Sequence, residues 1–237
     1  MKFQTIDESY LARRKEFSNR TGHRELWSVI DHFPLYVGIG TLSRFLAIAD
    51  LLRRTIDVPG HIAEFGSWRG ANLMFMTKLL RIYDPHGCKQ VHCFESFAGL
   101  ETFSQQDGDA GESETGTYRG SYDELLAMMA LNDLGDDIII HKGDILQTLP
   151  SALSNQSLGF SFIYCDTDLY APTRLILDSI HPRLSKGGMF VMDEWNYDKW
   201  PGESTAVREF MECNGTSYEM LHVQNARQPS LVLKKTA

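Results

Sequence analysis

Short apolar segments alternate with longer amphipathic segments from residue 58 onward, and this alternation constrains the fold more than any other feature of the sequence. A strand–helix–strand order predicts a mainly parallel sheet with helices on both faces. The expected strands are residues 61–65, 90–94, 138–141, 161–165 and 189–192, followed by a closing antiparallel pair at 218–223 and 230–235. The expected helices in this part of the chain are residues 70–83, 122–131, 172–184 and 204–213.

The first 57 residues are predicted to be helical, with the best helical periodicity at residues 41–54. Pro59 and Gly60 then interrupt the pattern, because proline cannot extend a helix and glycine turns the chain. We therefore expect an N-terminal helical cap at residues 1–57 and a main domain at residues 58–237.

Composition narrows the classes of function. The formal net charge of −8 disfavours a nucleic-acid partner, and no apolar run is long enough for a membrane helix. The first residues lack the apolar segment of a secretory signal, and none of the four cysteines forms a Cys-x-x-Cys pair. We expect a cytoplasmic protein with reduced thiols and with neither a nucleic-acid nor a membrane partner.

The turn after the first predicted strand has the features of a ligand-binding turn, since parallel sheets bind ligands at the carboxyl ends of their strands. Gly66 and Gly70 allow a tight turn, and the free N–H groups of the next helix can hold an anion such as a carboxylate. The dinucleotide fingerprint G-x-G-x-x-G requires glycine at position 68, where this chain has Trp68. The turn suits a ligand without a pyrophosphate, the alternative being a plain tight turn.

Glu95 and Asp144 follow the second and third predicted strands. A carboxylate at position 95 can accept hydrogen bonds from both hydroxyls of a ribose. Asp144 and the adjacent Ile145 could hold the exocyclic amine and one face of a purine. The alternatives are a solvated glutamate and an aspartate that caps a turn.

Four carboxylates follow the next two strands, Asp166 and Asp168 after the fourth and Asp193 and Glu194 after the fifth. Unpaired anions held close together repel one another, and a divalent cation relieves the repulsion. Oxygen ligands favour Mg²⁺ or Ca²⁺ over zinc. The pattern predicts a cation site, and the alternative is that some of these carboxylates pair with Lys or Arg or point to water.

Taken together, these segments resemble class I S-adenosylmethionine-dependent methyltransferases, and more narrowly the macrocin/mycinamicin (TylF/MycF-like) family of sugar O-methyltransferases. The resemblance extends over roughly residues 58–210 and depends on short motifs in a specific order. The motifs are residues 58–60, 63–70, 94–100, 142–144, 148–150, 166–170, 181–188 and 193–194.

The resemblance implies a Rossmann-like class I methyltransferase fold with a mostly parallel seven-stranded sheet, and S-adenosyl-L-methionine as cofactor. Glu64 would hold the methionine ammonium, Glu95 the ribose, and Asp144 and Ile145 the adenine. The residues that flank the methionine carboxylate would be Gly66, Ser67 and Asn72. The full set of expected cofactor contacts is Glu64, Phe65, Gly66, Ser67, Trp68, Gly70, Asn72, Glu95, Ser96, Asp144, Ile145 and Asp166.

The resemblance also implies a Mg²⁺ ion with Asp166, Asp193 and Glu194 as ligands, an arrangement similar to that of catechol O-methyltransferase. The family usually has two aspartates after the fifth strand, and here the second is Glu194. Glu95 likewise stands where aspartate is more common.

The expected reaction is methyl transfer to a hydroxyl of a small natural product or sugar moiety. Asp193 is expected to take the proton of that hydroxyl, with Asp168 as the alternative base. The polar segment 104–121 is predicted to be an exposed, mobile loop that closes over the acceptor together with residues 1–57. The amphipathic N-terminal helices suggest a homo-oligomer.

Three other functions stay open at this point: methyl transfer to a carboxyl or phosphonate oxygen, a nicotinamide-dependent oxidoreductase, and a non-catalytic cofactor-binding module. Trp68 and the absence of a Tyr-x-x-x-Lys pair argue against the oxidoreductase. Glu194 is the one feature that favours the non-catalytic module.

Overall fold

A computed structural model of the protein describes residues 4–22, 26–108 and 114–237. Three helices precede the first strand: α1 (Gln4–Thr21), α2 (Leu26–Asp31) and α3 (Ile39–Arg53). The strands are β1 (His61–Phe65), β2 (Val91–Glu95), β3 (Ile138–Lys142), β4 (Phe160–Cys165), β5 (Leu184–Met192), β6 (Tyr218–His222) and β7 (Leu231–Lys235). The remaining helices are α4 (Ala71–Tyr83), α5 (Tyr122–Asn132), α6 (Ile145–Ala152), α7 (Tyr170–Ile180) and α8 (Pro201–Asn214). None of the helices in these ranges has the length and hydropathy needed to cross a bilayer.

All seven strands belong to one sheet, in the order β3-β2-β1-β4-β5-β7-β6. Strands β1 to β5 are mutually parallel, whereas β7 runs antiparallel to both β5 and β6. The mostly parallel seven-stranded sheet and its closing antiparallel pair are confirmed. The order reverses at β1, which lies between β2 and β4, so the switch point where such sheets bind ligands lies at their carboxyl ends.

Helices cover both faces of the sheet. On one face, Ile48 and Leu51 of α3 and Leu73 of α4 are buried in a single core with the sheet. On the other face, Leu149 of α6 and Ile176 of α7 are buried in a second core. Since α3 contributes to the core of the sheet, the division of the chain at residue 57 stays a prediction.

Two predicted boundaries around the fifth strand are wrong. Helix α7 ends at Ile180 rather than 184, because His181–Arg183 form a 3₁₀ turn that contains a proline. Strand β5 begins at Leu184 rather than 189, because Leu184 already pairs with Phe160 of β4. The pairing register shifts between Phe160 and Phe162, so the Gly-Gly sequence that indicates a turn lies within the strand.

Helix α6 was not predicted from the sequence. The Asp144 side chain caps its start by accepting a hydrogen bond from the Leu146 N–H at 2.9 Å. The helix is short and contains Pro150, which weakens its periodicity in the sequence. Its buried Leu149 shows that tertiary packing stabilises this segment.

The segment predicted to be an exposed loop is partly buried. Gln105–Asp107 form a 3₁₀ turn, and the Asp107 carboxylate is 1% exposed. This carboxylate accepts hydrogen bonds from the N–H groups of Ser104 and Tyr170, both at 2.7 Å. The prediction of an exposed loop is therefore wrong at Asp107, while residues 109–113 of the expected lid lie outside the described residues.

The junction between Gly60 and β4 yields a stability prediction. Gly60 has φ = +114°, and a Cβ atom there would lie 2.5 Å from the backbone carbonyl carbon of Phe160. We expect Gly60→Ala to lower the free energy of unfolding by about 2 kcal/mol or more, which lowers the melting temperature by about 4–8 °C for a chain of this size. Thermal unfolding followed by circular dichroism measures this.

Gly135→Ala is the matched control, since a Cβ atom at Gly135 would meet nothing within 4 Å. An equal loss of stability in the two variants would show that the contact between Gly60 and β4 is not the cause.

Candidate functional site

A cavity of about 920 Å³ lies at the carboxyl ends of the parallel strands, between the loops that follow them and helix α3. Twelve of the predicted site residues line it: Gly66, Ser67, Trp68, Asn72, Glu95, Ser96, Asp144, Ile145, Asp166, Asp168, Asp193 and Glu194. Three predicted residues do not line it. Phe65 is buried in the core, stacked on Phe94, Gly70 precedes α4, and Glu64 is buried in β1.

The turn after β1 is held against the loop that follows β4. Gly66 has φ = +81°, and a Cβ atom there would lie 1.8 Å from the carbonyl oxygen of Asp166. Only glycine permits this approach of two backbones. The turn continues with Trp68 at φ = +48°, whose ring is half exposed and packs edge-on against Tyr118.

Glu64 is a buried carboxylate with no ion-pair partner among the described residues. Its side chain is 1% exposed, and neither carboxylate oxygen has a hydrogen-bond partner among the described residues. Burial raises the pKa of Glu64 to about 8, although Ser67, Asn72 and the positive charge of Arg44 partly oppose the shift. Ser67 and Asn72, which oppose the shift, line the cavity, so Glu64 lies directly behind the cavity wall.

Glu95, by contrast, is fixed by the backbone around it. Its carboxylate accepts hydrogen bonds from the N–H groups of Trp68 and Phe97, both at 2.8 Å. These bonds orient the side chain toward the cavity that it lines. The Oε1 atom also accepts a long hydrogen bond of 3.4 Å from the Ser96 hydroxyl, whereas Oε2 has the Trp68 N–H as its donor and a second lone pair for a ligand hydroxyl.

Four acidic side chains, Asp166, Asp168, Asp193 and Glu194, form a carboxylate cluster at the ends of β4 and β5. Oxygen atoms of Asp166, Asp168 and Glu194 lie within 4.8 Å of one another. The longer side chain of Glu194 therefore reaches its neighbours. Burial, followed by repulsion from Asp193, raises the pKa of Asp168 and of Glu194 to about 7 and that of Asp166 well above its ordinary value.

Asp193 has a different environment from the other three. Its side chain is 1% exposed and accepts a short hydrogen bond from the Tyr164 hydroxyl. The Arg44 guanidinium lies 3.2 Å from its Oδ1 atom. Asp193 is thus the least exposed member of the carboxylate cluster, with Tyr164 as its own partner and Arg44 as a partner that it shares with Asp166.

Three residues of this site were not identified from the sequence. Arg44 of α3 contacts Asp166 at 2.8 Å. The Gln228 amide donates a short hydrogen bond to the Glu194 carboxylate. Glu203 is fully buried at the start of α8 and accepts a hydrogen bond from the Glu194 N–H at 2.8 Å. Arg44 and Gln228 are remote in sequence from their partners, and Glu203 lies nine positions after Glu194 on a separate helix. No local pattern distinguishes the three from ordinary helix or loop residues.

The sheet order and the cavity at its switch point define a class I methyltransferase fold. Crystal structures of this class superpose on the chain, and that of CalS11, a calicheamicin methyltransferase, does so with a TM-score of 0.77 at 25% identity, covering 96% of this chain and 91% of that chain. A profile described as Macrocin-O-methyltransferase (TylF) matches residues 24–227. The chain belongs to the TylF macrocin-O-methyltransferase family, which confirms the resemblance derived from the motifs.

Two curated relatives are similar to this chain in sequence. Mycinamicin III 3''-O-methyltransferase of Micromonospora griseorubida is 28% identical over 174 residues, which are 70% of this chain and 66% of the relative. The 8-demethyl-8-(2,3-dimethoxy-alpha-L-rhamnosyl)-tetracenomycin-C 4'-O-methyltransferase of Streptomyces olivaceus is 30% identical over 149 residues, 60% of this chain and 55% of the relative. The chain thus spans less than two thirds of the length of these relatives. Family membership nevertheless argues against the oxidoreductase alternative.

Burial of Glu64 generates a prediction about stability and pH. Between its ordinary value near 4.5 and the raised value near 8, the folded protein holds a proton that the unfolded chain has released. Glu64 therefore lowers stability by about 1.4 kcal/mol for each pH unit across this window. We expect Glu64→Gln to be progressively more stable than the wild type as pH rises from 5 to 8, in thermal unfolding without ligands.

Glu219→Gln is the control, because Glu219 is an exposed residue of the edge strand β6 and its substitution removes the same charge from the surface. A stability difference between Glu64→Gln and the wild type that does not change with pH would contradict the unpaired state of Glu64.

Proposed function

We propose that this protein is an S-adenosylmethionine-dependent, Mg²⁺-dependent O-methyltransferase that acts on a sugar hydroxyl of a small natural product. The observation that carries the proposal is that one cavity is lined by the residues of the cofactor motifs and by the carboxylate cluster. Methyl transfer requires a donor and an acceptor oxygen in line and about 3 Å apart, and a shared cavity allows the two ligands to lie next to each other.

The cofactor side of the cavity fits S-adenosylmethionine in its chemistry. When bound, this cofactor supplies an electrophilic methyl group. Glu64 would pair with its ammonium group, which would give the unpartnered carboxylate oxygens a positive partner. Glu95 would accept hydrogen bonds from the ribose hydroxyls. Asp144 already caps α6 through one oxygen, so only its other oxygen is available for the adenine, with Ile145 against the ring.

The carboxylate cluster fits a divalent cation. All of its ligand atoms are carboxylate oxygens, the donor type that Mg²⁺ prefers, and the guanidinium of Arg44 already lies against two of its members. We propose Asp166, Asp193 and Glu194 as ligands. Asp168 is an alternative third ligand, because its oxygens group with those of Asp166 and Glu194. When bound, Mg²⁺ would lower the pKa of an acceptor hydroxyl.

The proposed catalytic base is also a member of the carboxylate cluster. Asp193 would take the proton of the acceptor hydroxyl, with Asp168 as the alternative. The Tyr164 hydroxyl and Arg44 engage Oδ1 of Asp193 and hold its side chain in place. Asp168 has a pKa near 7, raised by burial and by Asp193, so it can gain a proton near neutral pH.

The acceptor class follows from the relatives. The curated names specify the 3'' position of mycinamicin III in one relative and the 4' position of a rhamnosyl tetracenomycin in the other. The cavity of this chain has room for such a group beside the cofactor motifs, with Gly40, Thr41 and Phe45 of α3 on one side. We propose that α3 and its neighbours select among these acceptors.

Cofactor binding provides the first test of the proposed function. We expect isothermal titration calorimetry to detect S-adenosylmethionine binding to the wild type and a loss of roughly 10- to 100-fold in affinity for Glu64→Gln, since an ammonium–carboxylate pair is lost. Glu124→Gln is the matched control, because Glu124 lines the same cavity but is exposed and paired with Arg69. Undiminished binding to Glu64→Gln would remove Glu64 from the cofactor site, and no binding to folded wild type would refute the proposed activity.

Turnover provides the second test, with sugar-bearing natural products as acceptors. We expect EDTA to abolish methyl transfer and Mg²⁺ to restore it. We also expect Asp193→Asn to lower kcat by roughly 10²–10⁴-fold. Mg²⁺ binding to Asp193→Asn and Asp168→Asn should be measured as well. A variant that loses turnover because it lacks the base still binds Mg²⁺, whereas a variant that lacks a metal ligand binds it more weakly. If Asp168→Asn alone loses turnover while it still binds Mg²⁺, then Asp168 is the base.

A further inference from the structure

Arg44 is a cation that the N-terminal helices insert into the carboxylate cluster. Its guanidinium lies 2.8 Å from Oδ2 of Asp166 and 3.2 Å from Oδ1 of Asp193. It also lies 5.9 Å from the centroid of the Tyr164 ring and 3.4 Å from the Gln228 amide oxygen. The guanidinium therefore makes contacts with β4, with the loop after β5 and with the loop before β7.

The contacts of Arg44 coincide with those proposed for a metal ion. Asp166 and Asp193 are two of the three proposed ligands, and both have an oxygen directed at the guanidinium. An arginine stays protonated in proteins, so this positive charge is permanent. A guanidinium and a dication that share two carboxylates repel each other, and each carboxylate oxygen engaged by one is less available to the other.

We propose that Arg44 is the resident counter-ion of the carboxylate cluster and neutralises it in the absence of a divalent cation. Arg44 also limits the affinity of the cluster for a cation, because it competes with the cation for Asp166. The inference rests on the proposed function, because it takes the cluster to be the cation site. Entry of the cation would release the Arg44 contact with Asp166.

Release of this contact would also affect helix α3. Thr41 and Phe45 belong to the same helix as Arg44 and line the same cavity. The ion pairs of Arg44 are the charged contacts that join this stretch of α3 to the ends of β4 and β5 within the described part of the chain. Cation binding would therefore alter the anchoring of the helix that forms the acceptor side of the cavity.

The test compares the wild type with Arg44→Met, Arg44→Lys and Arg53→Met, without S-adenosylmethionine or acceptor. Arg53→Met is the matched control, since Arg53 lies on the same helix but pairs with Asp50 and is mostly exposed. Arg44→Lys retains a charge and serves if Arg44→Met is too unstable to purify. The measurements are the dissociation constant for Mg²⁺ by calorimetry, and the melting temperature in EDTA and in saturating Mg²⁺.

We expect Arg44→Met to melt at a lower temperature than the wild type in EDTA, because the clustered carboxylates lose their counter-ion. Saturating Mg²⁺ should raise its melting temperature by more than that of the wild type, and its Mg²⁺ dissociation constant should be at least tenfold lower. Arg44→Lys should have melting temperatures and a Mg²⁺ dissociation constant between those of the wild type and Arg44→Met. Arg53→Met should match the wild type in both measurements. Hydrogen exchange in α3 of the wild type should accelerate when Mg²⁺ is added.

Two results would overturn the inference. The first leaves the proposed cation site intact, and the second refutes it. If the wild type and Arg44→Met bind Mg²⁺ with equal affinity, then Arg44 does not compete with the cation, while the cation site stands. If none of the variants binds Mg²⁺ at millimolar concentration, then the cation site fails, and the inference fails with it.

Discussion

The buried negative charge at the carboxyl ends of β4 and β5 is the constraint on which the arrangement of this protein depends. Asp166, Asp168, Asp193 and Glu194 are largely removed from water, and charges in that position need compensating partners. Within the described residues, the compensating cation in direct contact is Arg44, which reaches the sheet from α3. The position of α3 and the ionisation of the carboxylate cluster therefore depend on each other, and α3 forms part of the site.

The turn after β1 brings the two halves of the cavity together. Gly66 allows the backbone of this turn to approach Asp166, and the following Trp68 N–H donates to Glu95. One turn thus contacts the loop that bears the carboxylate cluster and, on its other side, the carboxylate proposed to bind the ribose. A strained backbone at Trp68, with φ = +48°, is maintained by these contacts on both sides.

The sheet and most of the cavity residues could be predicted from the sequence because their determinants are local. Strands are marked by apolar runs and turns by glycine, and the carboxyl ends of parallel strands meet at one edge, so residues such as Glu95 and Asp166 could be placed without coordinates. The role of Arg44 could not, because an arginine on an amphipathic helix carries no local mark of its partner, which lies 122 positions away in the sequence. Helix α6 could not be predicted because its stability comes from burial of Leu149. The burial of the Asp107 carboxylate could not be predicted because its partner is the N–H group of Tyr170 at the start of α7.

Glu64 and the carboxylate cluster have different surroundings, and the difference bears on the partners proposed for each. Glu64 is a single enclosed carboxylate with no ion-pair partner in the described part of the chain, which suits the proposed pairing with one ammonium group. The cluster has several oxygens within 4.8 Å of one another, and Arg44 contacts two of its four side chains, Asp166 and Asp193. A dication offers two positive charges and several coordination positions to these oxygens at once, which a monovalent group does not. Neutral residues at these positions would fold with less electrostatic cost, and this is the energetic argument for the cofactor and the cation proposed above.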